Sequence, residues 1–297
     1  MAHNAVTAGY ASVFRPGLFD GQVVIVTGGG SGIGRCTAHE LASLGARLAL
    51  VGRKQDKLDT VLAELRQDVP EVVAAGWSCD IRDEAAVAAT VADILKHFGR
   101  IDGLVNNAGG QFPAPLSQIN QKGWETVVRN NLTGGFLMAR ECFTQWMADH
   151  GGAIVNIIAD MWGGMPNMGH SGAARAGMLN FTETAACEWG AANVRVNAVA
   201  PGWIASSGMD TYPDWMGPVI RSMREKVPLQ RLGSEAEVSA AIVFLLSPAA
   251  GFISGSCIRV DGAVPNARPN YALPKHRKST AFDGFHRAVM PKVLQED

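Results

Sequence analysis

Charge of one sign, paired cysteines, long apolar runs and tyrosine are all scarce in this chain, and each absence excludes something. The 297 residues carry 26 Lys and Arg against 27 Asp and Glu, a formal net charge of −1. That balance leaves no basic footprint for nucleic acid or for an anionic membrane surface. No stretch of about 18 apolar residues occurs, which argues against a membrane-spanning helix. Residues 1–21 have neither the basic start nor the apolar centre of a secretory signal. The closing Leu294-Gln295-Glu296-Asp297 is not a peroxisomal tripeptide. Cys36, Cys79, Cys142, Cys187 and Cys257 are dispersed, with no C-x-x-C and no metal-ligand spacing. They fit reduced thiols, so the expectation is a cytoplasmic protein without a metal. Tyrosine occurs only as Tyr10, Tyr212 and Tyr271, so a phenolic acid has few places to come from.

What is present is a buried-core composition, 47% hydrophobic and 18% charged with 34 glycines. Apolar runs at Gln22–Thr27, Arg47–Val51, Val72–Cys79, Ile101–Asn106, Ala153–Ile158, Val194–Ala200 and Ile258–Val260 read as strands. Helical patterns fall between them, at about Ile33–Leu44, Asp56–Asp68, Glu84–Phe98, Asn131–Asp149, Ala173–Ala191 and Glu235–Leu246. This repetition predicts an α/β fold, a single doubly wound domain with a seven-stranded parallel sheet covered on both faces. The expected divisions are an N-terminal arm over residues 1–18, the domain over 19–262 and a C-terminal tail over 263–297. Gly202–Gly217 reads as a loop over the site. The tail carries Pro265, Pro269, Pro274 and a Lys275-His276-Arg277-Lys278 cluster, read as solvated or packed on a neighbouring subunit rather than as an anion site.

Thr27-Gly28-Gly29-Gly30-Ser31-Gly32-Ile33-Gly34 lies between the first strand and the first helix. In that context glycines let the backbone approach a pyrophosphate and aim helix N–H groups at it, with Gly28, Ser31, Gly32, Ile33 and Gly34 as the expected contacts. The second strand runs into Val51-Gly52-Arg53-Lys54, with no acidic residue for ribose hydroxyls. Arg53 and Lys54 instead suit a 2′-phosphate, so NADP(H) is expected over NAD(H), the alternative being a solvated charge pair opening the next helix. Asp80 and Ile81 follow the third strand, where Asp80 is placed to contact the adenine. Asn107, Ala108 and Gly109 follow the fourth, at the edge where such sheets bind ligands.

These landmarks resemble the short-chain dehydrogenase/reductase family over about Leu18 to Gly262. They are T-G-G-G-S-G-I-G, Asn106-Asn107-Ala108-Gly109, Asn131-Leu132-Thr133-Gly134, Gly152–Ile158 and Ala200-Pro201-Gly202. The resemblance implies a Rossmann-fold oxidoreductase with a nicotinamide cofactor, assembled as a homotetramer, and extends the cofactor contacts to Pro201, Gly202, Ile204 and Arg175. Gly109-Gly110-Gln111-Phe112, Lys122-Gly123-Trp124 and His170–Gly177 are similar to the peroxisomal trans-2-enoyl-CoA reductases, with 2,4-dienoyl-CoA reductases next. Some bacterial members of this neighbourhood are similar to dehydrogenases of acyclic terpenoid alcohols such as citronellol.

The chain departs from the family where the chemistry is done. The family's Tyr-x-x-x-Lys is represented by Ser171 and Arg175, and its serine thirteen residues earlier by Ile158. Serine is a far weaker acid than a phenol, and arginine stays protonated at working pH. Asn131 matches the family's catalytic asparagine. In mitochondrial-type 2,4-dienoyl-CoA reductases a tyrosine eleven residues before the serine helps hold the thioester carbonyl; here that position is Asp160.

Reducing a ketone leaves an alkoxide that needs an acid within reach. Reducing a conjugated enoyl thioester puts hydride on the β-carbon, charge on the thioester oxygen and a proton on the α-carbon, so the oxygen needs only donors. Ser171, with Asn131 or a water, can donate. Asp160 can relay the proton if Ile158, Met161 and Trp162 raise its pKa, the plainer reading being a loop carboxylate or helix cap. His170 reads as an ordinary loop histidine. Met161, Trp162, Met165, Met168, Trp203, Met209, Trp215 and Met216 read either as an adaptable acyl pocket or as loop packing. The expected function is an NADPH-dependent reductase of 2-enoyl or 2,4-dienoyl thioesters, with an apolar acyl chain on a CoA-like carrier. The alternatives are an NAD(P)-dependent dehydrogenase of a hydrophobic acyclic alcohol or aldehyde, and a catalytically silent NADP(H)-binding protein. The helices Asn131–Asp149 and Ala173–Ala191 correspond to those that form the dimer face in the resembling family, and their Leu132, Phe136, Leu137, Phe143, Trp146, Met178, Phe181 and Trp189 add more apolar bulk than one core needs, the basis for expecting self-association.

Overall fold

Five buried residues in a row, Val23–Thr27, make β1, and β-branched side chains of this kind suit a strand covered on both faces. The computed structural model describes residues 9–268 and 270–295. The first eight residues of the expected arm, Pro269 and the closing Glu296-Asp297 lie outside the described residues. Six more strands follow: β2 (Arg47–Gly52), β3 (Ala74–Ser78), β4 (Gly103–Asn106), β5 (Gly152–Ile157), β6 (Val194–Pro201) and β7 (Cys257–Val260). Their order is β3-β2-β1-β4-β5-β6-β7, and every pairing is parallel. The chain winds outward from β1 to β3, returns beside β1 as β4, and winds the other way. The loops after β1 and β4 therefore part company at the carboxyl edge, the switch point where open α/β sheets hold ligands.

Helices cover both faces, as a doubly wound sheet requires. α1 (Gly32–Ser43), α2 (Gln55–Asp68) and α9 (Glu235–Leu246) pack Leu41, Leu58, Leu65, Ile242 and Leu245 into one core. α3 (Glu84–Phe98) and α5 (Gly134–Cys142) pack Val87, Val91, Ile94, Leu137 and Met138 into the other. α4 (Gln121–Val128), α6 (Ala148–His150), α7 (Gly169–Glu188) and α8 (Gly217–Ser222) complete the set.

Four expectations need correction. The helix expected from Asn131 is preceded by α4, capped by Asn120, whose Oδ1 accepts from Gly123 N at 2.9 Å; Gly123 and the β-branched Thr126-Val127-Val128 hide it in the sequence. α7 starts at Gly169 rather than Ala173, so His170 and Ser171 are helical and buried. No side chain caps that end; packing makes the helix there, and local chemistry does not announce it. The Gly202–Gly217 loop contains 3-10 turns at Ser207–Thr211 and Asp214–Met216 and leads into α8. Finally, the tail folds back on its own domain. Lys275, Arg277 and Lys278 are exposed, but Phe285 is 1% exposed in a cluster with Cys36 and Ala236. Next to it His286 and Arg287 bond to Asp68 at 2.8 and 2.6 Å.

Candidate active site

Gly28 has φ +67, and a Cβ there would stand 2.8 Å from Asn107 Nδ2 and 3.0 Å from Ala108 Cα. Only glycine fits that left-handed, crowded turn. Thr27 Oγ1 accepts from the N–H groups of Asn107 (2.9 Å) and Ala108 (3.0 Å), and Asn107 Nδ2 donates to Thr27 O at 3.0 Å. A Cβ on Gly34 would meet Gly28 O at 2.5 Å. Asn107 and Gly34 thus hold the two loops together over the switch point. Gly28, Ser31, Ile81, Ala108 and Gly109 line a cavity of about 330 Å³ beside them, and Arg53 and Lys54 form its outer wall.

The cavity suits a dinucleotide. Ser31 caps α1 without bonding the helix through its side chain, a start of the kind that can receive an anion on its hydroxyl and on the first helical N–H groups, those of Gly32 and Ile33 among them. Lys57 adds a third cation to the wall, one helical turn beyond Lys54, a spacing from which it could have been foreseen. Asp80 pairs with Arg82 at 2.6 Å; the Arg82 hydrogen bonds hold its carboxyl down to about 2, and Arg53 adds to the effect. Pro201, Gly202 and Ile204 lie apart from this cavity at the end of β6. Gly202 N donates to Val260 O at 2.9 Å, and Ile204 is buried in the core.

Ser171 and Arg175 lie one turn apart on α7 and so share a face. Ser171 is 0% exposed, and its hydroxyl donates to Gln111 Oε1 at 2.5 Å. Gln111 Nε2 donates in turn to Tyr212 Oη at 3.0 Å. Arg175 donates to Ile157 O at 2.5 Å, and its Nε has no protein partner. Burial pushes its pKa down to about 10, so it remains charged at neutral pH. A Cβ on Gly109 would stand 2.7 Å from both Arg175 Nη2 and Asn131 Oδ1, which places all three together. Asn131 sits in a π turn, Arg129–Thr133, between α4 and α5. Its Nδ2 donates to Gly110 O (2.7 Å) and Val127 O (2.9 Å), and its Oδ1 accepts from Gly110 N at 3.1 Å. Both amide hydrogens are committed to backbone, so what the side chain does here is hold the Gly109-Gly110 segment.

Asp160 follows β5, and its N–H donates to Pro201 O at 3.1 Å. One carboxyl oxygen of Asp160 and one of Asp261 are buried without a hydrogen-bond partner, and Arg259 Nε stands 3.7 Å from that Asp261 oxygen. Burial and then the Asp261 charge raise the Asp160 pKa, while Arg259 opposes them. Asp261 and Gln111 were not foreseen as site residues. Asp261 ends β7 on the same carboxyl edge, which is the signal that could have found it; nothing local marks Gln111 as a partner of Ser171. A second cavity of about 330 Å³ runs past Asp261 between Trp203, Leu229 and Arg259. His170 packs edge-on against Phe112, ring centroids 4.6 Å apart, and its Nδ1 accepts from Ser171 N at 2.9 Å.

The apolar loop residues do not form one acyl pocket. Met209 and Met216 are buried with Ile220, Val293 and Leu294, Trp215 is 64% exposed, and Met161 packs beside Ile158 and Met178. A larger cavity of about 780 Å³ lies under the tail, walled by Arg224, Glu235, Phe285 and Met290 among others. It includes none of Asn131, Ser171 or Arg175. Among the described residues no helix is long and apolar enough to cross a membrane.

A family model described as Enoyl-(Acyl carrier protein) reductase matches residues 28–264. The chain belongs to the short-chain dehydrogenase/reductase family. A probable 2,4-dienoyl-CoA reductase of Bacillus subtilis (strain 168) is 36% identical over 245 residues, 81% of this chain and 95% of that relative. The peroxisomal 2,4-dienoyl-CoA reductase of Rattus norvegicus is 36% identical over 269 residues, 88% of this chain and 89% of the rat protein. Among solved structures, a citronellol catabolism dehydrogenase of Pseudomonas aeruginosa PAO1 is 62% identical, with a TM-score of 0.78. That match covers 86% of this chain and 100% of the other. As a short-chain dehydrogenase/reductase, the protein is an oxidoreductase of the nicotinamide-dependent kind.

Proposed function

We propose that this short-chain dehydrogenase/reductase is an NADPH-dependent reductase of 2-enoyl or 2,4-dienoyl thioesters with an apolar acyl chain. The observation that carries the reading is the pair Ser171 and Arg175, a hydrogen-bond donor and a fixed cation where carbonyl reduction needs a phenolic acid and a lysine. Arg53, Lys54 and Lys57 would hold the 2′-phosphate, Ser31 and the start of α1 the pyrophosphate, and Asp80 the adenine. When bound, NADPH supplies the hydride that adds to the β-carbon. Arg175 would hold the nicotinamide ribose and supply positive potential to the charge that develops on the thioester oxygen. Ser171 would donate to that oxygen, and Asn131 would keep Gly109-Gly110 in place against Arg175. Asp160, whose pKa burial and the Asp261 charge raise, would pass a proton to the α-carbon. Hydride and proton together saturate one carbon–carbon double bond. The two 2,4-dienoyl-CoA reductases support the same reading.

A second reading, oxidation of a hydrophobic acyclic alcohol, is favoured by the 62% identity to the citronellol catabolism dehydrogenase. It lacks the phenolic base that the family uses, since Tyr212 reaches Ser171 only through Gln111, and would leave the hydroxyl proton to Asp160. A branched acyclic acyl thioester would suit both likenesses. A panel followed at the NADPH absorbance band separates the readings: trans-2-hexenoyl-CoA, a 2,4-dienoyl-CoA, a branched 2-enoyl-CoA and citronellol, each with both cofactors. We expect thioester-dependent oxidation with NADPH favoured over NADH by about tenfold or more, the size of one charge-assisted phosphate contact. Citronellol-dependent NADP⁺ reduction without thioester activity would establish the second reading instead. Cofactor binding without any turnover would mean a silent binding protein.

A further inference from the structure

Ser171 is wholly enclosed, yet the side chain that satisfies it comes from outside. Gln111 is exposed, and its amide oxygen reaches in to take the Ser171 hydroxyl. An amide oxygen is an sp² carbonyl acceptor, the same kind of group as the carbonyl of a thioester. Gln111 is held in this pose by its bond to Tyr212, and its side chain has no other hydrogen-bond partner among the described residues.

The two ends of that bond differ in freedom. Tyr212 sits in a loop pinned by the tail: Asp210 accepts from Lys292 N and Val293 N, both at 3.1 Å. Met209 and Met216 on either side of it are buried against Val293 and Leu294. Asn131 holds the Gly110 backbone, but the Gln111 side chain beyond it faces solvent. If one partner moves, it is Gln111.

We propose that Gln111 is a gate residue whose carboxamide oxygen stands in for the substrate's thioester carbonyl on Ser171. Tyr212 latches it, and substrate binds by displacing it. The proposal rests on reading Ser171 as the donor to an enoyl thioester. With no substrate present, the gate spares a buried hydroxyl the cost of an unmade hydrogen bond. On displacement, the Gln111 amide turns to water while the thioester oxygen takes its place, so one acceptor is exchanged for another. A ligand that brings no acceptor oxygen cannot repair the lost bond, and the gate therefore selects against purely apolar ligands. The closed population lowers apparent affinity by the fraction of molecules it occupies.

Removing the gate should tighten binding. With the full chain, Gln111→Ala should lower the KM for trans-2-hexenoyl-CoA about three- to tenfold, the worth of one net neutral hydrogen bond. The unreactive hexanoyl-CoA should bind the NADP⁺-saturated protein more tightly by a similar factor in calorimetry, a readout independent of turnover. Tyr212→Phe should move both in the same direction but less. Gln111→Glu keeps the size and makes a stronger, charged acceptor, so it should raise KM and weaken hexanoyl-CoA binding. A fall in kcat for Gln111→Ala with KM and hexanoyl-CoA affinity unimproved would overturn the gate and leave Gln111 a positioning residue. Ser171→Ala separates the two levels. If it abolishes turnover while Gln111→Ala gains no affinity, the gate alone fails; if it keeps full turnover, the reading of the site fails and the gate with it.

Discussion

Asp160 owes its character first to burial and then to a residue far along the chain. Burial raises its carboxyl pKa, the Asp261 charge raises it further, and Arg259 pulls the other way. An acid acts while protonated, so turnover should fall as pH rises through the raised Asp160 pKa. Asp261→Asn removes one raising charge and should move that alkaline fall to lower pH. A pH–rate profile with an enoyl thioester checks this, and an unmoved limb would exclude the pair as the proton source. From the sequence alone Asp160 is only an ambiguous loop carboxylate, because what perturbs it stands at the end of β7. The same limit applies to Ser171 and Asn131. Their positions are legible from the motif, but the Gln111 bond and the two backbone carbonyls that occupy Asn131 depend on loops meeting in space.

At the scale of elements, legibility follows local chemistry. α3 and α9 begin and end where the sequence predicts, and both carry explicit caps. Asp83 accepts from Ala86 N, and Ser234 with Glu237 forms a capping box. α7 has no side-chain cap, and its true start is visible only once His170 and Ser171 are buried. The tail shows no periodicity, yet it docks, with Phe285 its most deeply buried side chain. Phe285 packs with Cys36 and Ala236, its ring 5.1 Å from His39 and 5.0 Å beneath the Arg35 guanidinium. Phe285→Ala should cost the docked tail about 3–5 kcal/mol. Amide exchange would show this as tail protection falling by about 10²- to 10⁴-fold while the central strands keep theirs. Unchanged protection in the tail would mean that Phe285 does not anchor it.

For the whole molecule, the winding order explains why the site edge is foreseeable and its wiring is not. Every strand points the same way, so the loops after β1, β4, β5, β6 and β7 all gather at one edge, and the glycine turn, Asn107, Asp160, Pro201 and Asp261 gather with them. We propose that α5 and α7 meet another copy. Phe136 is 37% exposed and contacts the Phe181 ring edge-on, and Phe143 stacks on Trp189 at 4.4 Å. We expect light scattering to give a mass near four chains, and a monomer at micromolar concentration would contradict that assembly. On the proposed reading the protein saturates a conjugated double bond, with the proton going to carbon and donors alone serving the oxygen. The deciding experiment is reduction of trans-2-hexenoyl-CoA by NADPH in D₂O, with the product read by NMR. We expect saturated thioester with solvent deuterium at the α-carbon and none at the β-carbon; no saturated product, or product without α-deuterium, would refute the reading.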